Sequence, residues 1–185
     1  MNRLFLAIPV PPALRPAIVD VRASLALDPK AWRLVREDGL HATVKFLGGV
    51  DPPRAAACDP GWRSAARGVG AIPLVLGRVG AFPDLRRPRV LWIGLEDRGP
   101  GHPLTTLAER IERAACGFGF PPETRPYAAH VTLARARPES RAGPVAEVPA
   151  RELGTFVADR LVLYRSDTGP GGARYVEQAS YPLAP

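Results

Sequence analysis

Two tetrapeptides, His41-Ala42-Thr43-Val44 and His130-Val131-Thr132-Leu133, set a histidine, a threonine two residues on and then an aliphatic residue in one frame, 89 residues apart. The chain has only three histidines, so two of them share this frame. Imidazole titrates near pH 6.5, so one of two such rings can carry a proton while the other does not, without large environmental shifts. In-line cleavage of a phosphoester needs that pair: a base for the attacking oxygen and an acid for the leaving one, at opposite ends of the phosphorus. The threonine hydroxyls can donate to the non-bridging oxygens, where charge grows. This chemistry requires no metal and no cofactor. A single His-x-Thr-aliphatic tetrapeptide reads as a strand with a polar face, and only the repetition points to a site.

The elements that must position these groups follow from the alternation in each motif, which is that of a half-buried β-strand. A period of 2 puts His41 and Thr43 on one face and Ala42, Val44 and Phe46 on the inner one, and treats His130 and Thr132 alike. Lys45 then shares the face of His41 and Thr43 and is a cationic candidate for phosphate. Arg135 could bind a phosphate oxygen as a charged fork. Period 2 sets it opposite His130, so that role requires the strand to twist, bulge or end near Ala134. Tyr127, Trp92 and Phe82 are candidate base-stacking surfaces, with core burial as the alternative. His102, between Gly101 and Pro103, reads as a helix cap or a solvated residue.

Around the motifs, Arg3 to Ile8 reads as a buried strand and Pro12 to Leu27 as a helix opened by its prolines. The first motif strand runs from Gly39 to Leu47 and stops at Gly48-Gly49. An Ala-rich helix over 53–67 should be broken or divided by Pro60-Gly61. Strands follow at 72–79 and 89–95. The helix from Pro103 to Cys116 has Leu104, Leu107, Ala108, Ile111 and Ala115 on one stripe. The second motif strand covers Tyr127 to Ala134, Pro138 to Pro149 is loop, and strands at 156–164 and 174–181 join through Gly169-Pro170-Gly171-Gly172. The order predicts an α+β chain, a single domain over 1–185 in which each half holds one motif strand in an antiparallel sheet flanked by helices.

The chain has 185 residues, 46% of them hydrophobic and 23% charged, a globular composition long enough for a sizeable core. Its net charge of +7 favours a polyanionic partner such as nucleic acid. That signal is softened because only Lys30 and Lys45 are lysines, as in an arginine-, alanine-, proline- and glycine-rich coding bias. Cys58 and Cys116 belong to no C-x-x-C pair and read as free thiols of a cytoplasmic protein, and the scattered Cys and His suggest no zinc site. The apolar run Leu4 to Val10 is short and lacks a cleavage pattern, so a strand explains it better than a signal peptide. No run has the length that spans a bilayer.

These residues together resemble the two-histidine (2H) phosphoesterase superfamily, and within it the bacterial and archaeal RNA 2′,3′-cyclic phosphodiesterases once called 2′-5′ RNA ligases. Arg3-Leu4-Phe5-Leu6-Ala7-Ile8 is similar to the family's opening strand. Leu40 to Gly48 is similar to its first motif, including the Phe-Leu-Gly ending, and Arg89 to Gly94 to its middle strand. Arg125-Pro126-Tyr127 leading into His130 to Arg135 resembles the second motif, and Leu163 to Ser166 with Arg174-Tyr175 the closing hairpin. Ala129 departs from the pattern, since members often have proline before the second histidine.

The resemblance implies a bilobal, pseudo-duplicated α+β fold with a central cleft. It implies opening of the RNA 2′,3′-cyclic phosphate to a 2′-phosphate end without a metal, with His41 as acid and His130 as base. Thr43, Thr132 and Arg135 fall on its phosphate-binding positions. Alternatives are a phosphodiesterase of small cyclic nucleotides or nucleotide-sugar cyclic phosphates, and a non-catalytic RNA-binding protein. The expected state is a monomer with an RNA end as its partner and no membrane association.

Overall fold

The computed structural model describes residues 1–140, 142–146, 148, 152–169 and 172–183. Arg141, Glu147 and Pro149 of the expected loop and Pro170-Gly171 of the expected turn lie outside the described residues. In chain order the elements are β1 (Asn2–Pro9), α1 (Arg15–Ser24), β2 (Trp32–Leu34), β3 (His41–Val50), α2 (Pro52–Ala66), β4 (Ile72–Phe82), β5 (Val90–Asp97), α3 (Pro103–Gly117), β6 (His130–Ala136), β7 (Gly154–Ala158), β8 (Arg160–Gly169) and β9 (Gly172–Pro182). Short 3-10 turns at Pro12–Leu14 and Glu37–Gly39 precede α1 and β3. Among the described residues no helix is long and apolar enough to cross a membrane.

Among the described residues nine strands join one antiparallel sheet in the order β7-β4-β5-β6-β3-β1-β8-β9, with β2 added to β6. The motif strands β3 and β6 are therefore central neighbours, flanked by β1 and β5. They share one register pair, Ala42 with Val131, and then part. The gap is taken by β2, which pairs Trp32 with Ala136, Arg33 with Arg135 and Leu34 with Ala134. This strand is absent from the sequence reading because three residues carry no period. It exists because β6 offers it an unpaired edge.

One face of the sheet is apolar and carries the helices. Leu4, Leu6 and Ile8 of β1, Ala42 and Val44 of β3, Leu91 and Ile93 of β5 and Val131 and Leu133 of β6 are buried there with the stripes of α1 (Ile18, Val21), α2 (Cys58, Trp62, Ala65, Ala66) and α3 (Leu104, Leu107, Ala108, Ile111, Ala115). Burying a large aliphatic side chain contributes roughly 1.5–3 kcal/mol, so this layer dominates the stability and leaves the opposite face to the histidines and threonines of the two motifs.

Pro60-Gly61 neither breaks nor divides α2, which runs unbroken through Pro60. The missing N–H and ring clash are offset by tertiary contacts on both sides of it. Asp51 caps the start by accepting from Arg54 N at 2.8 Å, and the Tyr181 hydroxyl donates to Asp59 at 2.7 Å. The bare Gly61 lets Phe118 lie where a Cβ would meet the ring at 2.4 Å. The expected strand at 156–164 is two, split at Asp159, and β3 continues past Gly48-Gly49 to Val50. His102 sits at the N-cap of α3 with a left-handed backbone and no side-chain cap, and Asp97 Oδ2 instead accepts from Leu104 N at 2.7 Å.

Candidate active site

The pair Ala42–Val131 is the hinge of the site. In an antiparallel register about that pair, His41 lies level with Thr132 and Thr43 with His130, so the two frames alternate around one point. Two strands from distant parts of the chain thus present two imidazoles and two hydroxyls on the face away from the helices.

Each histidine is held in the same way. His41 Nδ1 lies 2.7 Å from the Gly39 carbonyl, and His130 Nδ1 lies 2.6 Å from the Ala128 carbonyl. A carbonyl only accepts, so each Nδ1 carries the proton and each Nε2 is left with a lone pair for chemistry. The carbonyl belongs in both cases to the residue two positions before the histidine, a local device that the shared frame repeats.

Aromatic rings then fix the imidazole planes. His41 has Tyr175 edge-on at 4.9 Å, Phe5 at 4.8 Å and Tyr164 at 6.1 Å. His130 has Phe82 edge-on at 5.1 Å and Trp92 at 6.1 Å. Each set depends on a glycine beneath it. A Cβ on Gly39 would meet the Tyr175 ring at 3.0 Å, and one on Gly80, the register partner of Trp92, would meet that ring at 2.2 Å.

This environment depresses both imidazoles. Burial pushes His41 down to about 4, partly opposed by the Gly39 carbonyl, with Arg135 and His130 lowering it further. His130 is lowered by burial first, against the Ala128 carbonyl, and then by Arg135. Arg135 is therefore close enough to act on both rings, and it acts on Tyr175 too. Both histidines are neutral in the free protein at pH 7.

The position of Arg135 and that of Lys45 are settled by one feature that occurs twice. On β3 the partners of Leu6 and Ala7 are Lys45 and Thr43, so Val44 is an extra residue. On β6 the partners of Leu91 and Trp92 are Ala134 and Thr132, so Leu133 is extra. A bulge three residues after each histidine reverses the alternation. Val44 and Lys45 both turn inward, as do Leu133 and Ala134, while Phe46 and Arg135 turn out to the face of the histidines.

The expectation that Lys45 lies beside His41 and Thr43 is therefore corrected. Lys45 is buried under the sheet, 2.6 Å from Glu112 of α3, and donates to the Pro121 carbonyl at 3.0 Å. Burial works against the Glu112 charge, yet Lys45 and the Glu123 N–H hold its carboxyl below the ordinary value. Phe46, expected on the inner face, is instead 63% exposed.

Tyr127 precedes β6 rather than starting it. Its hydroxyl donates to the Thr43 carbonyl at 3.3 Å and its ring packs on the core, so it ties the approach of one motif strand to the backbone of the other. Trp92 and Phe82 stand beside His130. Gly39, Phe5, Tyr164 and Tyr175 are members of the site that sequence reasoning missed. The apolar run of β1 reads as core, although period 2 already places Phe5 on the face opposite Leu4 and Leu6. Among the described residues no three His, Cys, Asp or Glu cluster closely enough to hold a metal ion.

The chain is similar to known proteins in sequence and in fold. Residues 8–92 and 95–175 match the family model described as LigT like Phosphoesterase. A protein of Escherichia coli strain K12 named RNA 2′,3′-cyclic phosphodiesterase is 32% identical over 94% of this chain and 92% of its own length. One of Methanothermobacter thermautotrophicus with the same name is 27% identical over 98% of each. The crystal structure of E. coli LigT complexed with 3′-AMP superposes with a TM-score of 0.81 at 29% identity, covering 100% of this chain and 99% of that one. With one antiparallel sheet, two tethered histidines at its centre and a match over both halves, the chain belongs to the LigT-like phosphoesterase family.

Proposed function

We propose that the protein hydrolyses 2′,3′-cyclic phosphate ends of RNA to 2′-phosphate ends without a metal. The observation that carries this is the pair of matching Nδ1–carbonyl bonds, which leave both Nε2 atoms without the proton, on two imidazoles near enough to each other and to Arg135 for the charge of Arg135 to act on both. The names of the E. coli and M. thermautotrophicus relatives supply the substrate class.

In this reading the cyclic phosphate lies between the two frames, with Thr43 and Thr132 donating to its non-bridging oxygens and Arg135 opposing its charge. His130 Nε2, already neutral, takes a proton from water as the water oxygen attacks phosphorus. His41 Nε2 gives a proton to the 3′ oxygen as that P–O bond breaks, leaving the phosphate on the 2′ oxygen. The free protein holds His41 neutral, so the substrate must help to charge it. The phosphate anion raises the His41 pKa from about 4. The acid is thus armed chiefly when an anion occupies the site, and the pH profile of turnover is bell-shaped.

The test is incubation of an oligonucleotide ending in a 2′,3′-cyclic phosphate with the protein and EDTA, followed by identification of the product. A 2′-phosphate end is expected. A 3′-phosphate end would reverse the roles of the two histidines, and loss of turnover in EDTA would overturn the metal-free mechanism.

A further inference from the structure

Beyond the two frames, the face of the sheet carries a second cationic group whose placement the site chemistry has not used. Arg33 on β2 and Arg135 on β6 are direct register partners in an antiparallel pair, so their side chains leave the same face with Cα atoms about 5 Å apart. Like charges set directly opposite each other are destabilising. Here no ion pair offsets that repulsion: among the described residues neither guanidinium has a carboxylate or hydrogen-bond partner. Nearby Arg36, by contrast, is held by both oxygens of Asp38 at 3.0 and 2.8 Å.

The backbone that displays Arg33 is fixed on both sides. Trp32 is buried, Arg137 N donates to the Ala31 carbonyl at 2.8 Å, Ser140 Oγ donates to the same carbonyl at 2.9 Å, and Val35 N donates to the Leu133 carbonyl at 2.9 Å. An exposed cation on a pinned strand, next to a second cation that already serves the phosphate site, is a preorganised place for another anion. Arg135 lies on the same strand as His130, whereas Arg33 lies on β2, the strand added beside Arg135, which sets Arg33 one step further out.

We infer that Arg33 forms a second phosphate subsite, which takes the phosphate on the 5′ oxygen of the nucleoside bearing the cyclic phosphate. The identity of this group follows from the substrate. A chain that ends in a 2′,3′-cyclic phosphate has its next anionic group only on the 5′ side, either as the internucleotide diester or, in a single nucleotide, as a 5′-monophosphate. The subsite rests on the RNA-end reading above and makes Arg33 the residue that favours chains over bare nucleosides.

The experiment compares wild type and Arg33→Ala on three substrates: adenosine 2′,3′-cyclic phosphate, its 5′-phosphorylated form, and the dinucleotide ApA ending in a 2′,3′-cyclic phosphate. The ratio of kcat/KM for the dinucleotide over the bare nucleoside cyclic phosphate is expected to fall about tenfold in the variant, as for one charge-assisted contact. The slope of log kcat/KM against log salt on the dinucleotide should become shallower by about 0.7, and Arg33→Lys should retain that slope. A ratio that falls for the dinucleotide alone assigns the subsite to the diester, a fall for both phosphorylated substrates to either source, and a fall for the 5′-monophosphate alone to free nucleotides. Unchanged ratios, whether activity is retained or lost equally on all three substrates, would overturn the subsite. If the wild type turns over none of them, the RNA-end function fails. Calorimetric binding of ApA ending in a 2′-phosphate against adenosine 2′-phosphate then decides the subsite alone, by whether Arg33→Ala reduces their affinity ratio.

Discussion

The motif strands β3 and β6 carry the same frame, the same carbonyl tether two residues before the histidine and the same bulge three residues after it, yet they differ just beyond that bulge. Where β3 has Lys45 turned in and Phe46 turned out, β6 has Ala134 turned in and Arg135 turned out. In the proposed mechanism the shared part supplies what an in-line reaction needs at both ends of the phosphorus. The unshared part places the positive charge on one strand and an exposed aromatic ring on the other, so the site is symmetric in its proton chemistry and asymmetric in its field. A second asymmetry lies in burial: His41 sits under three rings and is pushed down to about 4, while His130 sits beside two.

The strongest way to break the comparison is to remove each histidine in turn. His41→Ala and His130→Ala should each lower kcat on a 2′,3′-cyclic-phosphate oligonucleotide by roughly 10³- to 10⁴-fold, as expected for loss of a general acid or base. Retained turnover in either variant would show that the two frames are not two halves of one device.

Next comes the field. Arg135→Ala should cost about 10²-fold in kcat/KM and should raise the pKa of both imidazoles, because the guanidinium lowers both. NMR titration of the two rings checks this, and an Arg135→Ala protein with unmoved histidines would place the charge elsewhere. Binding of inorganic phosphate to the wild type should move the His41 titration upward from about 4, opposite to the effect of Arg135.

The burial of His41 makes a stability prediction with a definite sign. In the unfolded chain the ring takes its proton below about pH 6.5. In the folded chain it does so only below about 4. Between these values the unfolded state holds the extra proton, so stability is full above about pH 6.5 and falls, by up to about 3 kcal/mol, as the pH drops to 4. Urea unfolding at pH 4.5 and 7.5 should show this loss in wild type and a smaller one in His41→Gln, and equal losses would refute it.

Smaller effects sharpen the same contrast in the supports. Gly80→Ala, whose Cβ would strike the Trp92 ring at 2.2 Å, should cost about 1–3 kcal/mol of stability in thermal unfolding, and Gly39→Ala, at 3.0 Å from Tyr175, less than that. Lys45→Met removes the partner of Glu112 and should cost about 1–2 kcal/mol of stability while leaving KM within about twofold. A large KM effect would return Lys45 to the phosphate site.

The His-x-Thr frames, the apolar periods of β1, β5 and α3, and the proline and glycine stops are local properties, and the chain order alone was enough to lay out strands, helices and the candidate pair of histidines. The face on which a residue emerges after a bulge is not local. A bulge is a choice of register against a neighbouring strand, so the single period that correctly placed Thr43 and Thr132 misplaced Lys45 and Phe46, and it left Arg135 dependent on a bulge that the sequence could not show. The same holds for β2, which is stable only against the edge of β6, and for α2, where contacts to Phe118 and Tyr181 override Pro60. The sequence by itself singled out two histidines as candidates for proton chemistry and determined that two strands carry them. Only the tertiary structure decided that these strands meet at Ala42 and Val131, which Nε2 atoms are free, and which cations stand beside them, because pairing and register are energies between distant segments of the chain.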